Sequence, residues 1–162
     1  MVNGAAMGAG FDMALLCDLR IAADEAKIGE AYVNLGLMAG DGGAWLLNRL
    51  VGPSRALELL LTGKVIDGRQ AAEWGLVNQS VPREELAATV YALAEKLAAG
   101  PQLAQRLLKR AVYSADALPQ DAHYDLASSY MALAQSHKDF EGAIEAAKAG
   151  EKPTFGSGDP RS

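Results

Sequence analysis

The 162-residue sequence predicts an α/β region followed by an all-helical region. Three observations predict it. Short apolar stretches with strand-like alternation recur as far as Val81, separated by glycine-rich segments. Beyond Pro82 the apolar residues fall instead at helical spacing, as in Leu86, Val90, Leu93, Ala94 and Leu97. No internal repeat or low-complexity segment interrupts either part. The division is placed at residues 1–82 for the α/β part, 83–150 for the helical part and 151–162 for an extended, partly disordered tail.

The elements follow in order. Gly10 to Cys17 reads as a short buried helix, every position but Asp12 being apolar or small. Leu19 to Ala23 and Lys27 to Gly29 read as strands, and Glu30, Tyr32 and Asn34 alternate as if on one strand face. Gly36 to Gly43 is a glycine-rich loop running into a helix that Gly52-Pro53 ends, with Ser54 capping the next helix, through Leu59 to Thr62. Asp67 caps a short helix from Gly68 to Trp74, closed by Gly75, before a strand over Leu76 to Val81. Leu103, Leu107, Leu108 and Ala111 mark the next helical face, and two further helices run from Gln120 to Gln135 and from Asp139 to Ala149. So few short strands make a poor sheet on their own, so further strands are expected from another chain or from a preceding segment.

Composition narrows the function classes. Half the residues are apolar, 22% are charged and the net charge is −5, which argues for a globular protein and against nucleic acid or an anionic membrane as partner. The single cysteine, Cys17, excludes an internal disulfide and reads as a small buried hydrophobe; no basic secretory start or membrane-length apolar run is present, and a cytoplasmic location is expected. Trp45 and Trp74 read as core. His123 and His137 stand far apart without ligand-spaced partners, so no metal site is expected.

Chemistry concentrates near the N-terminus. In Met7-Gly8-Ala9-Gly10-Phe11-Asp12, small residues at a helix start let a ligand approach bare backbone and meet free N–H groups. The Ala9 N–H is a candidate oxyanion donor, provided main-chain pairing leaves it free; the alternative is close helix–strand packing. Such a donor supplies roughly 3 kcal/mol to a transition state when preorganised. Asp12 is either a solvated charge favoured by the helix dipole or a desolvated acid/base. Asp41, in Gly40-Asp41-Gly42-Gly43, is either a helix cap or a general base held by the loop.

Beyond these features, Asn3 to Gly10, Ala14 to Ala22, Leu35-Gly36-Leu37, Gly42-Gly43, Arg49 to Gly52, Leu60 to Gly63, Ala71 to Asn78, Val81-Pro82, Ser136, Glu141-Gly142 and Lys152 to Phe155 occur in an order that resembles the C-terminal part of the crotonase superfamily, the enoyl-CoA hydratase/isomerase family. The resemblance implies a truncated crotonase-like β-β-α spiral followed by a helical region used in assembly, as a trimer or a dimer of trimers. It implies an acyl-CoA thioester as substrate, with CoA part of that substrate and no metal or redox cofactor. Enolate charge would be held by two backbone N–H groups, the second of which maps onto Ala9. The first, with much of the CoA surface, belongs to a more N-terminal segment; Met1 falls just before the second, so the chain reads as a truncated gene product, a late choice of start site or half of a split protein, with little or no activity expected of it alone if it truly starts at Met1.

The family's two hydratase glutamates map onto Asp12 and Tyr32, and Tyr32 cannot act as a carboxylate base. Isomerases of the family manage with one carboxylate; some use an aspartate that aligns with Gly40, one position before Asp41. The resemblance thus implies Asp12 and Asp41 as catalytic carboxylates, Ala9 as the oxyanion donor, and Met7, Gly8, Tyr32 and Gly40 as substrate-binding positions. The alternative is a non-catalytic remnant that assembles with intact subunits of the same family.

Overall fold

The structure, a computed structural model, describes residues 1–156; of the expected tail, 157–162 lie outside the described residues. The chain forms two compact units, 1–92 and 93–162, that divide inside helix α4 (Arg83–Ala98). Among the described residues, everything after Pro82 that is regular is helical. No described helix is long and apolar enough to cross a membrane.

In the first unit the strands are short because each pairs over only two or three residues. β1 (Ala6–Met7) lies parallel to β3 (Ile28–Gly29), and β3 pairs antiparallel with β4 (Val65–Ile66). β2 (Ile21–Ala23) pairs in parallel with β5 (Gln79–Val81) as a separate sheet. Val2 joins β2 by an isolated bridge, donating to Ile21 O and accepting from Ala23 N. Between these strands lie α1 (Ala9–Leu15), a 3₁₀ helix (Ala31–Leu35), α2 (Gly43–Thr62) and α3 (Gly68–Glu73). α2 bends at Gly52 before Pro53. The Asp67 side chain accepts from Gln70 N at 2.8 Å, the expected cap of α3.

The core of this unit is built from Phe11 and Leu15 of α1, Ile28 of β3, Leu47 and Leu59 of α2, Leu76, and Leu86 of α4. Burying such a side chain contributes about 1.5–3 kcal/mol each. Arg20 fastens the end of α1 to this core: buried itself, it donates from Nε to Leu76 O at 2.7 Å and from its guanidinium to Leu15 O and Cys17 O.

Three expectations are corrected. α1 is not buried all round: Phe11, Asp12 and Leu15 face inward while Met13 and Leu16 are exposed. Trp45 is exposed on α2, with the Arg49 guanidinium one turn on lying 4.5 Å from its ring centre, and Trp74 is half-buried beneath Arg55 and Lys64. Cys17, just beyond α1, is exposed.

The second unit contains the end of α4 with α5 (Gln102–Ser114), α6 (Gln120–Gln135) and α7 (Lys138–Ala149). Leu107 of α5 is buried, and His123 of α6 bonds through Nε2 to Ala111 O at 3.0 Å. The His137 ring caps α7 by accepting from Asp139 N. Leu108, Val112 and Met131 stay exposed.

Candidate active site

The site grows from one backbone turn. After β1 the chain must reverse into α1, and Gly8 makes the turn at φ +51°, where a side chain is disfavoured. Its N–H donates to Gly29 O at 2.9 Å, and its carbonyl accepts from Phe11 N and Asp12 N. The Ala9 N–H has no main-chain partner among the described residues, and Ala9 is exposed. A Cβ on Gly8 would sit 3.4 Å from the Tyr32 ring, so the turn lies directly against that ring. Met7, half-buried in β1, reaches toward Gly29, and a Cβ there would lie 3.3 Å from its Cε.

Asp12, in the first turn of α1, is 1% exposed. Its Oδ2 lies 3.0 Å from the Tyr32 hydroxyl, which also stands 2.8 Å from Asp41 Oδ2. Asp41 does not cap α2: the cap position is Gly42 and no side chain bonds there. Asp12 is thus a buried carboxyl and not a solvated helix-start charge, and Asp41 is drawn to Tyr32 instead of to the helix. Gly40 is exposed in the loop and meets nothing within 4 Å of a built Cβ. The fold therefore brings Gly8, Asp12, Tyr32 and Asp41 together and leaves Gly40 apart.

Glu30 joins this group unannounced by the sequence. The alternation of Glu30, Tyr32 and Asn34 does not describe a strand face, because Ala31–Leu35 is a 3₁₀ helix with Glu30 at its N-cap. Glu30 turns inward, 1% exposed, while Asn34 packs against Gly63, where a Cβ would meet its amide nitrogen at 2.7 Å. A Cβ at Gly43 would lie 2.1 Å from Asp12 Oδ1 and 3.0 Å from Glu30 Oε1, so both carboxyls crowd one point of bare backbone. Burial above all, then the neighbouring Asp12 carboxyl, push the Glu30 pKa up to about 8. The Tyr32 phenol is pushed above its ordinary value by desolvation first, then by its bonds to Asp41 and Asp12, so it remains a donor.

Comparison with known proteins places the chain. The sequence profile described as Enoyl-CoA hydratase/isomerase matches residues 1–158. The chain belongs to this family. Its α/β spiral with a helical region is the family's crotonase-like fold: a crystal structure of enoyl-CoA hydratase from Bacillus anthracis superposes with a TM-score of 0.89 at 33% identity, over 94% of this chain and 59% of that one.

Among characterised members of the enoyl-CoA hydratase/isomerase family, 1,2-epoxyphenylacetyl-CoA isomerase of Escherichia coli K12 is 41% identical over 154 residues, 95% of this chain and 59% of its own length. Short-chain-enoyl-CoA hydratase of Clostridioides difficile is 41% identical over 138 residues, 85% of this chain and 88% of its own length. The chain thus spans a little over half of the E. coli relative and of the Bacillus structure.

Proposed function

We propose that this chain carries the acid/base part of an acyl-CoA active site, with Asp12 moving a proton on and off carbon next to a thioester while the Ala9 N–H holds the enolate oxygen. The observation that carries this reading is the pairing of a buried Asp12 carboxylate with an unengaged Ala9 N–H at the other end of the same helical turn. Tyr32, onto which the resemblance maps the second hydratase carboxylate, donates its hydroxyl to Asp12 Oδ2. That favours a single-carboxylate isomerisation over water addition, because a phenol kept protonated cannot draw a proton from water. Asp41, one hydrogen bond away across the phenol, is the second candidate carboxylate, and Met7 and Gly8 would border the substrate.

The deciding experiment is isomerisation of 3-enoyl-CoA to 2-enoyl-CoA by the purified protein, followed together with solvent deuterium entering the product. Asp12→Asn should lower the rate at least a hundredfold and Asp41→Asn less. Turnover that Asp12→Asn leaves unchanged would overturn the assignment.

A second reading, an assembly role for the helical unit, is favoured by a different observation. Leu108, Val112 and Met131 expose apolar surface on α5 and α6. The homo-oligomer the family suggests, a trimer or a dimer of trimers, is tested by sedimentation of the wild type against Leu108→Glu. A monomer in both cases would remove this reading.

A further inference from the structure

Glu30 is the buried group that the reaction as written leaves unused. Both its oxygens, and Asp12 Oδ1, lack a hydrogen-bond partner when counted as ionised acceptors. No ion pair among the described residues reaches either carboxyl. The titratable groups bonded to the pair are Tyr32 on the 3₁₀ helix and, beyond its hydroxyl, Asp41 in the loop; from α2 the Gly43 backbone lies against both carboxyls. Tyr32 has one proton, and it points toward Asp12 Oδ2 or Asp41 Oδ2, not toward the oxygens by Gly43. Two ionised carboxylates cannot share that dry point without a cation or a proton between them. A proton satisfies it.

We propose that Glu30 and Asp12 form a carboxyl–carboxylate pair sharing one proton, with Glu30 as a positioning residue whose O–H donates to Asp12 Oδ1. This rests on the enolate reading for what Asp12 then does. With Oδ1 held inward, Oδ2 on the Tyr32 side is the oxygen that takes the carbon-bound proton of the thioester and returns it to a different carbon. The Glu30 proton stays in place throughout, so the step balances: one C–H bond breaks, one O–H forms, and the reverse follows at the other carbon. The elevated Glu30 pKa agrees, since it keeps a proton on Glu30 at neutral pH.

The test has one arm that does not depend on turnover. In protein carrying ¹³C-labelled glutamate carboxyls, one signal should titrate near pH 8, vanish in Glu30→Gln and move to lower pH in Asp12→Asn. If every glutamate signal titrates in the ordinary carboxylate range, the pair does not exist. The second arm uses rescue. Glu30→Gln keeps a donor beside Asp12 Oδ1 and should retain kcat while losing the fall in rate above pH 8; Glu30→Ala should lose about tenfold or more in kcat with little change in KM. Equal losses in both variants, with no change in the pH profile, would reduce Glu30 to packing. A titrating signal near pH 8 in a protein whose turnover ignores Asp12→Asn would uphold the pair and overturn the enolate reading.

Discussion

Gly43 lies so close to Asp12 that a methyl group added to its α-carbon would stand 2.1 Å from Oδ1. The first helical residue of α2 is therefore part of the wall against which the carboxylate is set. Gly43→Ala should cost about 1–3 kcal/mol by overpacking. It should also displace Asp12 enough to lower 3-enoyl-CoA turnover by roughly a hundredfold. Urea unfolding and steady-state kinetics on the same variant measure both.

Stability should fall as pH rises through the neutral range. Glu30 holds its proton to about 8 in the folded chain, against an ordinary value of 4.5, so between those values the folded state binds more protons than the unfolded one. The contribution is intact below pH 4.5, declines through the window and is fully lost above pH 8. Glu30→Gln should flatten that slope in urea titrations run from pH 5 to pH 9.

Tyr32 should be the last tyrosine to ionise. Desolvation and its two carboxylate neighbours both disfavour the phenolate. Ultraviolet titration of the five tyrosines should lose its highest-pH step in Tyr32→Phe, and turnover should drop several-fold as Asp12 Oδ2 loses its bond. An unchanged titration curve would show that the hydroxyl is not held between the two aspartates.

Arg20 should matter to folding more than to chemistry. Its buried guanidinium joins the end of α1 to Leu76, and bonds of a charged donor to carbonyls contribute about 1.5–3 kcal/mol each. Arg20→Ala should lose on the order of 3 kcal/mol in urea unfolding while KM for the thioester stays close to the wild-type value.

Much of the fold was legible because it is written in periodicity and punctuation. The helices over Gln120–Gln135 and Lys138–Ala149 follow their apolar spacing, and Asp67 caps α3 as its position before Gly68 suggested. Burial was harder to read. In α1, an almost wholly apolar segment leaves Met13 and Leu16 in solvent and turns its one carboxylate inward, because the tertiary environment of α2 decides which face is covered. The stretch after Gly29 alternates like a strand yet coils into a 3₁₀ helix, which sends Glu30 inward and Asn34 toward Gly63. Glu30 could have been suspected from a carboxylate following the apolar Ile28-Gly29 pair, but its partner is distant in sequence and only folding reveals it. Trp45 shows the converse: a large ring that a guanidinium, not the interior, covers.

The lone sulfhydryl of Cys17 offers a practical opening. It stands exposed past the C-terminal end of the helix that begins at Ala9, five positions from Asp12, about 7.5 Å of helical rise. A maleimide-linked nitroxide or fluorophore would attach to this unmutated chain at one defined place. Its mobility and spectrum would then report, in real time, whether thioester capture stiffens that short rod.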